Sequence, residues 1–152
     1  MHGFWLLVHV LGVILWLGGG MATMVAGVTA KGFAPPERLK VYRAISAIQR
    51  ILVGPGAGAV VVSGVILVLS GPYMHSGEMP AWLNAMMGAG ILGAIIAVVV
   101  SVPTAARLGR LEVDARGELP EVFAKLRKRQ VIAATIAGSL GLIALFAVTL
   151  GR

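Results

Sequence analysis

Four apolar stretches divide this 152-residue chain, and every Lys, Arg, Asp and Glu can be placed outside them. They run over about residues 4–29, 51–71, 82–106 and 131–150, each close to the ~20 residues that a membrane-spanning helix needs. With 58% hydrophobic and 12% charged residues, the composition excludes a water-soluble domain of this size. Runs such as 59–69 and 90–100 lack the alternation of a membrane strand, so the spans are expected to be helices. The first stretch lacks a basic n-region and is too long for an h-region, so it is expected to stay in the mature chain rather than be cleaved as a signal peptide. The chain holds no cysteine, which removes disulfides and thiolate metal sites.

The charges orient the spans. The first connection carries Lys31, Arg38, Lys40, Arg43 and Arg50 against Glu37. The third carries Arg107, Arg110, Arg116, Lys125, Arg127, Lys128 and Arg129 against Glu112, Asp114, Glu118 and Glu121. The middle one, from Gly71 to about Ala81, has no Lys or Arg. The positive-inside rule therefore predicts an all-α, four-transmembrane-helix bundle with both termini outside and two basic cytoplasmic loops. The expected location is the bacterial inner membrane, as a single multi-pass domain covering residues 1–152. The net charge of +7 is read as anchoring to anionic lipid headgroups, and no nucleic-acid partner is expected.

Two shorter segments have amphipathic patterns. After Pro35-Pro36, residues 37–49 place Leu39, Tyr42, Ile45 and Ile48 on one side, and residues 119–129 do the same with Val122, Phe123 and Leu126. Both are expected to lie along the membrane surface. Within the spans, small residues recur every fourth position at Gly54/Gly58, Ala89/Gly93/Ala97 and Ala137/Gly141, a spacing that lets helix backbones approach closely in lipid. Pro55 and Pro103 predict local breaks in the second and third helices.

The first span carries the chemistry. His2, Trp5, His9, Gly12, Trp16 and Gly19 follow one another at spacings of three and four, which aligns them on one helix face. His9 is the ionisable side chain that falls clearly inside the membrane region, where such residues mark functional sites. A neutral imidazole offers one nitrogen to a metal while the other is fixed by a hydrogen bond. Gly12 and Gly19 leave room for a flat cofactor such as haem b, and Trp5 and Trp16 give it aromatic walls.

A second axial ligand is expected from Met86 or Met87 at the outer end of the third span, from His75, or from a second subunit, which makes a homodimer plausible. Arg50 is a candidate for a haem propionate or a lipid phosphate. Three readings stand on these residues. One is a haem b cytochrome acting in electron transfer or as an oxidoreductase with a quinone or another redox partner. A second is a copper-handling protein built on His2, His9, His75 and methionines including Met74. The third is a scaffold without cofactor, with His9 bonded between helices.

The run His9-Val-Leu-Gly-Val-Ile-Leu-Trp16-Leu-Gly-Gly19 resembles the first span of a superfamily of small bacterial membrane proteins. That superfamily includes the CopD-type copper-resistance proteins, a group of uncharacterised predicted integral membrane proteins, and the HemJ-type protoporphyrinogen oxidases. Arg50, Pro55 and Gly64 resemble the HemJ-type pattern in the second span. The resemblance implies haem b on His9. Leu6 stands where HemJ-type proteins carry a Lys, and their Asn-Glu-x-Pro signature is absent, so protoporphyrinogen oxidation is not implied.

Overall fold

The computed structural model describes residues 1–72 and 79–150. Its elements are α1 (His2–Thr29), α2 (Pro35–Ile48), α3 (Gly54–Leu69), α4 (Ala81–Ile96), α5 (Val102–Leu108) and α6 (Glu121–Leu150), with a 3₁₀ turn at Ala30–Gly32. No strand occurs among the described residues. Four continuous helical segments, His2–Gly32, Pro35–Leu69, Ala81–Leu108 and Glu121–Leu150, are long and apolar enough to cross a membrane. Large side chains such as Leu7, Ile14, Leu92 and Ile136 are exposed on their outer surfaces, which suits lipid as the solvent.

Two five-residue π turns interrupt the middle helices, Gln49–Val53 before α3 and Ala97–Ser101 before α5. Each ends two residues ahead of a proline, Pro55 and Pro103. Proline has no N–H to give the carbonyl one turn back, and a π turn absorbs that missing bond without ending the helix. The breaks expected at both prolines therefore take the form of π turns.

The surface-helix expectation for residues 37–49 does not hold. From Pro35 to Leu69 the chain is one helical segment of 35 residues, about 52 Å at the α-helical rise. That exceeds a ~30 Å hydrocarbon layer. The excess length is stabilised by a core of its own, where Leu39, Tyr42 and Ile45 pack with Ala30, Leu108 and Phe123. The Tyr42 and Phe123 rings meet edge to face with centroids 5.1 Å apart. Residues from 121 likewise belong to the single helix α6: Phe123 is buried and Leu126 packs against the core, while Val122 faces out. Arg38 closes the end of α1, its Nε donating to the Ala30 carbonyl at 2.9 Å and its guanidinium also reaching the carbonyls of Lys31 and Phe33. A cation there satisfies carbonyls that have no partner within the helix.

The bundle is built as two close pairs, α1 with α3 and α4 with α6. At the first crossing Gly12 faces Gly56: a Cβ on Gly12 would stand 2.9 Å from the Gly56 carbonyl oxygen, and one on Gly56 2.8 Å from the Trp16 nitrogen. At the second, a Cβ on Gly93 would stand 3.1 Å from the Ala137 carbonyl oxygen. The close approach on the second span thus uses Gly56, whereas Gly58 has open space around it. Trp16 joins the pairs, reaching from α1 into a core with Val53, Ala57, Val60, Ala94, Ala97 and Ala137.

Gly56→Ala should therefore lower stability by about 1–3 kcal/mol, because the atoms in its way are backbone and cannot step aside. Gly58→Ala should leave stability unchanged or raise it slightly, since alanine is the better helix former. Unfolding of the two variants in detergent, followed by circular dichroism, separates these outcomes.

Candidate cofactor cavity and a buried polar relay

The buried stripe of α1 runs Gly12, Trp16, Gly19 and Thr23, and His9 continues it one turn toward the N-terminus. This stripe places His9 against α3, where its Nδ1 lies 3.1 Å from the Oγ of Ser63. Gly64 seats the ring: a Cβ there would stand 3.1 Å from His9 Cε1. Ser63 is fully buried, and its hydroxyl donates to the Ala59 carbonyl, with the Val60 carbonyl second at 3.4 Å. The serine proton is thus committed to the backbone. Its oxygen can only accept from the imidazole, so His9 carries its proton on Nδ1 and keeps the Nε2 lone pair free of that bond. This is the protonation form in which a histidine ligates a metal.

His9 lines a partly open cavity of about 750 Å³ between α1, α3, α4 and α6. His2, Trp82, Met86 and Met87 share its wall, together with Gly64, Gly90, Gly141 and many Val and Leu side chains. Of the residues singled out in the sequence, His9, His2, Met87 and Trp16 thus line one cavity. Among the described residues no cluster of three His, Asp or Glu side chains comes together. His75 and Met74 lie outside the described residues.

Other expected site residues sit elsewhere. Gly12 and Gly19 do not open space for a flat cofactor: they face the second span, where a Cβ on Gly19 would meet Val53 at 2.9 Å. The glycines on the cavity wall are instead Gly64, Gly71, Gly90 and Gly141. Trp5 packs edge to face on Phe4, with centroids 5.4 Å apart, and does not line the cavity. Arg50 is exposed and also off the wall. It precedes Ser63 by 13 residues, roughly 20 Å along the helix, so it cannot serve a group held by His9 in the way expected.

Sequence reasoning missed a second polar feature. Thr23, Gln49, Ser101 and Gln130, one from each spanning segment, form a buried hydrogen-bonded relay. Gln130 Nε2 donates to Ser101 Oγ at 2.9 Å, Ser101 donates to Gln49 Oε1 at 3.3 Å, and Gln49 Nε2 donates to Thr23 Oγ1 at 3.2 Å. Thr23 then donates to the Gly20 carbonyl at 2.9 Å. The π turns begin at Gln49 and end at Ser101. Gln49 and Ser101, neutral polar residues six and two positions before Pro55 and Pro103, were the signal available in the sequence. No family model, curated protein or solved structure matches this chain.

Gln49 both accepts and donates in the relay, so Gln49→Leu should cost about 1 kcal/mol by orphaning the Ser101 hydroxyl proton and the Thr23 oxygen. Gln130→Leu removes only the terminal donor and should cost distinctly less. Chemical unfolding in mixed micelles measures both, and equal costs would contradict the order of the relay.

Proposed function

We propose that the chain is a haem b-binding membrane protein of the bacterial inner membrane, with His9 as axial ligand, acting in electron transfer with a quinone or another redox partner. The observation that carries this reading is His9, its Nδ1 held 3.1 Å from Ser63 Oγ, on the wall of a 750 Å³ apolar cavity. A volume of that order suits a cofactor-sized ligand. A bare metal ion needs far less space, so the cavity favours haem over copper. The donor set also fits, since Met86 and Met87 share the wall and thioether sulfur is an established haem ligand opposite histidine.

In this reading haem b supplies one-electron redox chemistry when bound. Ser63 would fix the plane and tautomer of the His9 ring, Gly64 leaves it room, and the apolar wall would limit water around the ring. Trp16 closes the inner end of the cavity. Both termini are outside by the positive-inside rule, which opens the His9 cavity toward the non-cytoplasmic side. A homodimer remains a route to a second ligand.

The copper reading keeps one supporting observation, namely that His2, Met86 and Met87 line the same cavity as His9.

Protein made with ample haem and purified in detergent should show a Soret band that shifts on reduction. His9→Ala should abolish it, and Ser63→Ala should lower haem affinity by about 10–100-fold while retaining the band at saturating haem. A featureless spectrum would sink the haem reading. Copper uptake that is lost in a Met86→Leu, Met87→Leu double variant would then favour the alternative.

A further inference from the structure

A second cavity, of about 390 Å³, shares Trp16 and Leu17 with the first and runs from them between α1 and α6. The two helices are antiparallel across it. At one end a Cβ on Gly141 would stand 2.8 Å from Leu17 Cδ2, and at the other Ala30 shares a core with Phe123. The close pairs of the bundle are α1 with α3 and α4 with α6, which leaves α1 and α6 facing each other across a gap. Gly20 and Gly138 widen it, each with open space where a Cβ would stand. Met21, Met24, Val28 and Val131 line the gap and are also exposed, so it is a groove that opens to the surrounding lipid.

The groove is mostly apolar along its length and cationic at one end. Residues 17–31 of its α1 side span about 20 Å, the depth of one bilayer leaflet with its headgroups. Lys31 and Arg127 line the end that the positive-inside rule places in the cytoplasmic leaflet, and no Asp or Glu lines the groove. Among the described residues neither cation makes an ion pair. Arg127 is held in position, its Nε donating to the Tyr42 hydroxyl at 3.0 Å, with Tyr42 itself buried against Phe123. That bond leaves the terminal nitrogens of the guanidinium without a partner among the described residues, and such a fork matches two oxygens of a phosphate. Thr23, Gln49 and Ser101, which also line the groove, bond one another and need nothing from its occupant.

We propose that this groove holds one anionic phospholipid of the cytoplasmic leaflet, with its phosphate at Arg127 and Lys31 and an acyl chain along the gap between α1 and α6. The match is of charge at one end and of length along the rest. A zwitterionic lipid fits less well, because its own ammonium offsets the phosphate, whereas phosphatidylglycerol brings an uncompensated negative charge. The site differs from the diffuse attraction expected of a net charge of +7, since it assigns lipid selectivity to two of the 13 Lys and Arg side chains. It rests neither on His9 nor on a cofactor.

Native mass spectrometry of the full chain, released from micelles with equal phosphatidylglycerol and phosphatidylcholine of the same acyl chains, tests the site. The protein should retain one phosphatidylglycerol with at least about tenfold preference. Arg127→Gln and Lys31→Gln should each cut that preference about fivefold. Lys128→Gln and Arg129→Gln remove the same charge from exposed side chains off the groove and should leave it unchanged. The Lys31 side chain has no partner among the described residues, so its variant keeps the test decisive if Arg127→Gln disturbs Tyr42. Gly138→Leu, which fills the open space, should lower retention of both lipids about tenfold. An equal loss in all four charge variants would mean diffuse attraction only and would overturn the site. So would equal retention of the two lipids, no retained lipid, or retention that Gly138→Leu leaves untouched. Displacement of phosphatidylglycerol by an equal concentration of glycerol 3-phosphate, which has the head without the chain, would also overturn it.

Discussion

The Trp16 indole leaves the first span, crosses the centre of the bundle and rests on glycines of the third and fourth spans. A Cβ on Gly93 would stand 3.0 Å from its Cη2, and one on Gly141 3.6 Å. In lipid there is no hydrophobic force between helices, so contact of this kind and close backbone approach must supply the packing energy. The two helix pairs hold themselves together through glycine crossings, at Gly12 with Gly56 and at Gly93 with Ala137. Trp16 ties one pair to the other. Because it fills the middle of the interface and not its ends, it leaves one cavity on either side of itself.

Both cavities lie beside polar groups whose hydrogen bonds run in a fixed direction. At one end, the backbone claims the proton of Ser63, so His9 must donate through Nδ1. At the other, the backbone carbonyl of Gly20 claims the proton of Thr23, so the sequence of donors ends on the unpartnered oxygen of Gln130. A carbonyl that can only accept thus fixes the protonation of a side chain several bonds away. The first arrangement leaves the imidazole Nε2 outside the serine bond, and the second ends on an amide oxygen that is itself buried.

The spans were legible in the sequence because charge placement and apolar length suffice for that, and the His9 to Gly19 stripe correctly marked the inward face of the first helix. The use of that face was not legible. Gly12 and Gly19 on a stripe with a histidine read equally well as space for a cofactor or as contact with another helix, and only the partner helix decides. The length of the second helix was hidden because Arg38, Lys40 and Arg43 beside Leu39, Tyr42 and Ile45 read as a separate surface helix, when they belong to the same helical segment as the second span. The relay was hidden because Thr23, Gln49, Ser101 and Gln130 carry no charge and lie far apart in sequence. The π turns that bring Gln49 and Ser101 inward follow from Pro55 and Pro103, but their register does not follow from the prolines alone.

The central claim is that His9 stands on its cavity wall with its proton on Nδ1 and a bare Nε2. Nitrogen-15 NMR of the imidazole, recorded on histidine-labelled protein prepared without haem or copper and assigned by comparison with His9→Ala, reads this tautomer directly. The account predicts a protonated Nδ1 beside an unprotonated Nε2 whose resonance moves when haem is added. A proton on Nε2 in that preparation would contradict it, since the ring would then have no lone pair to offer on that nitrogen.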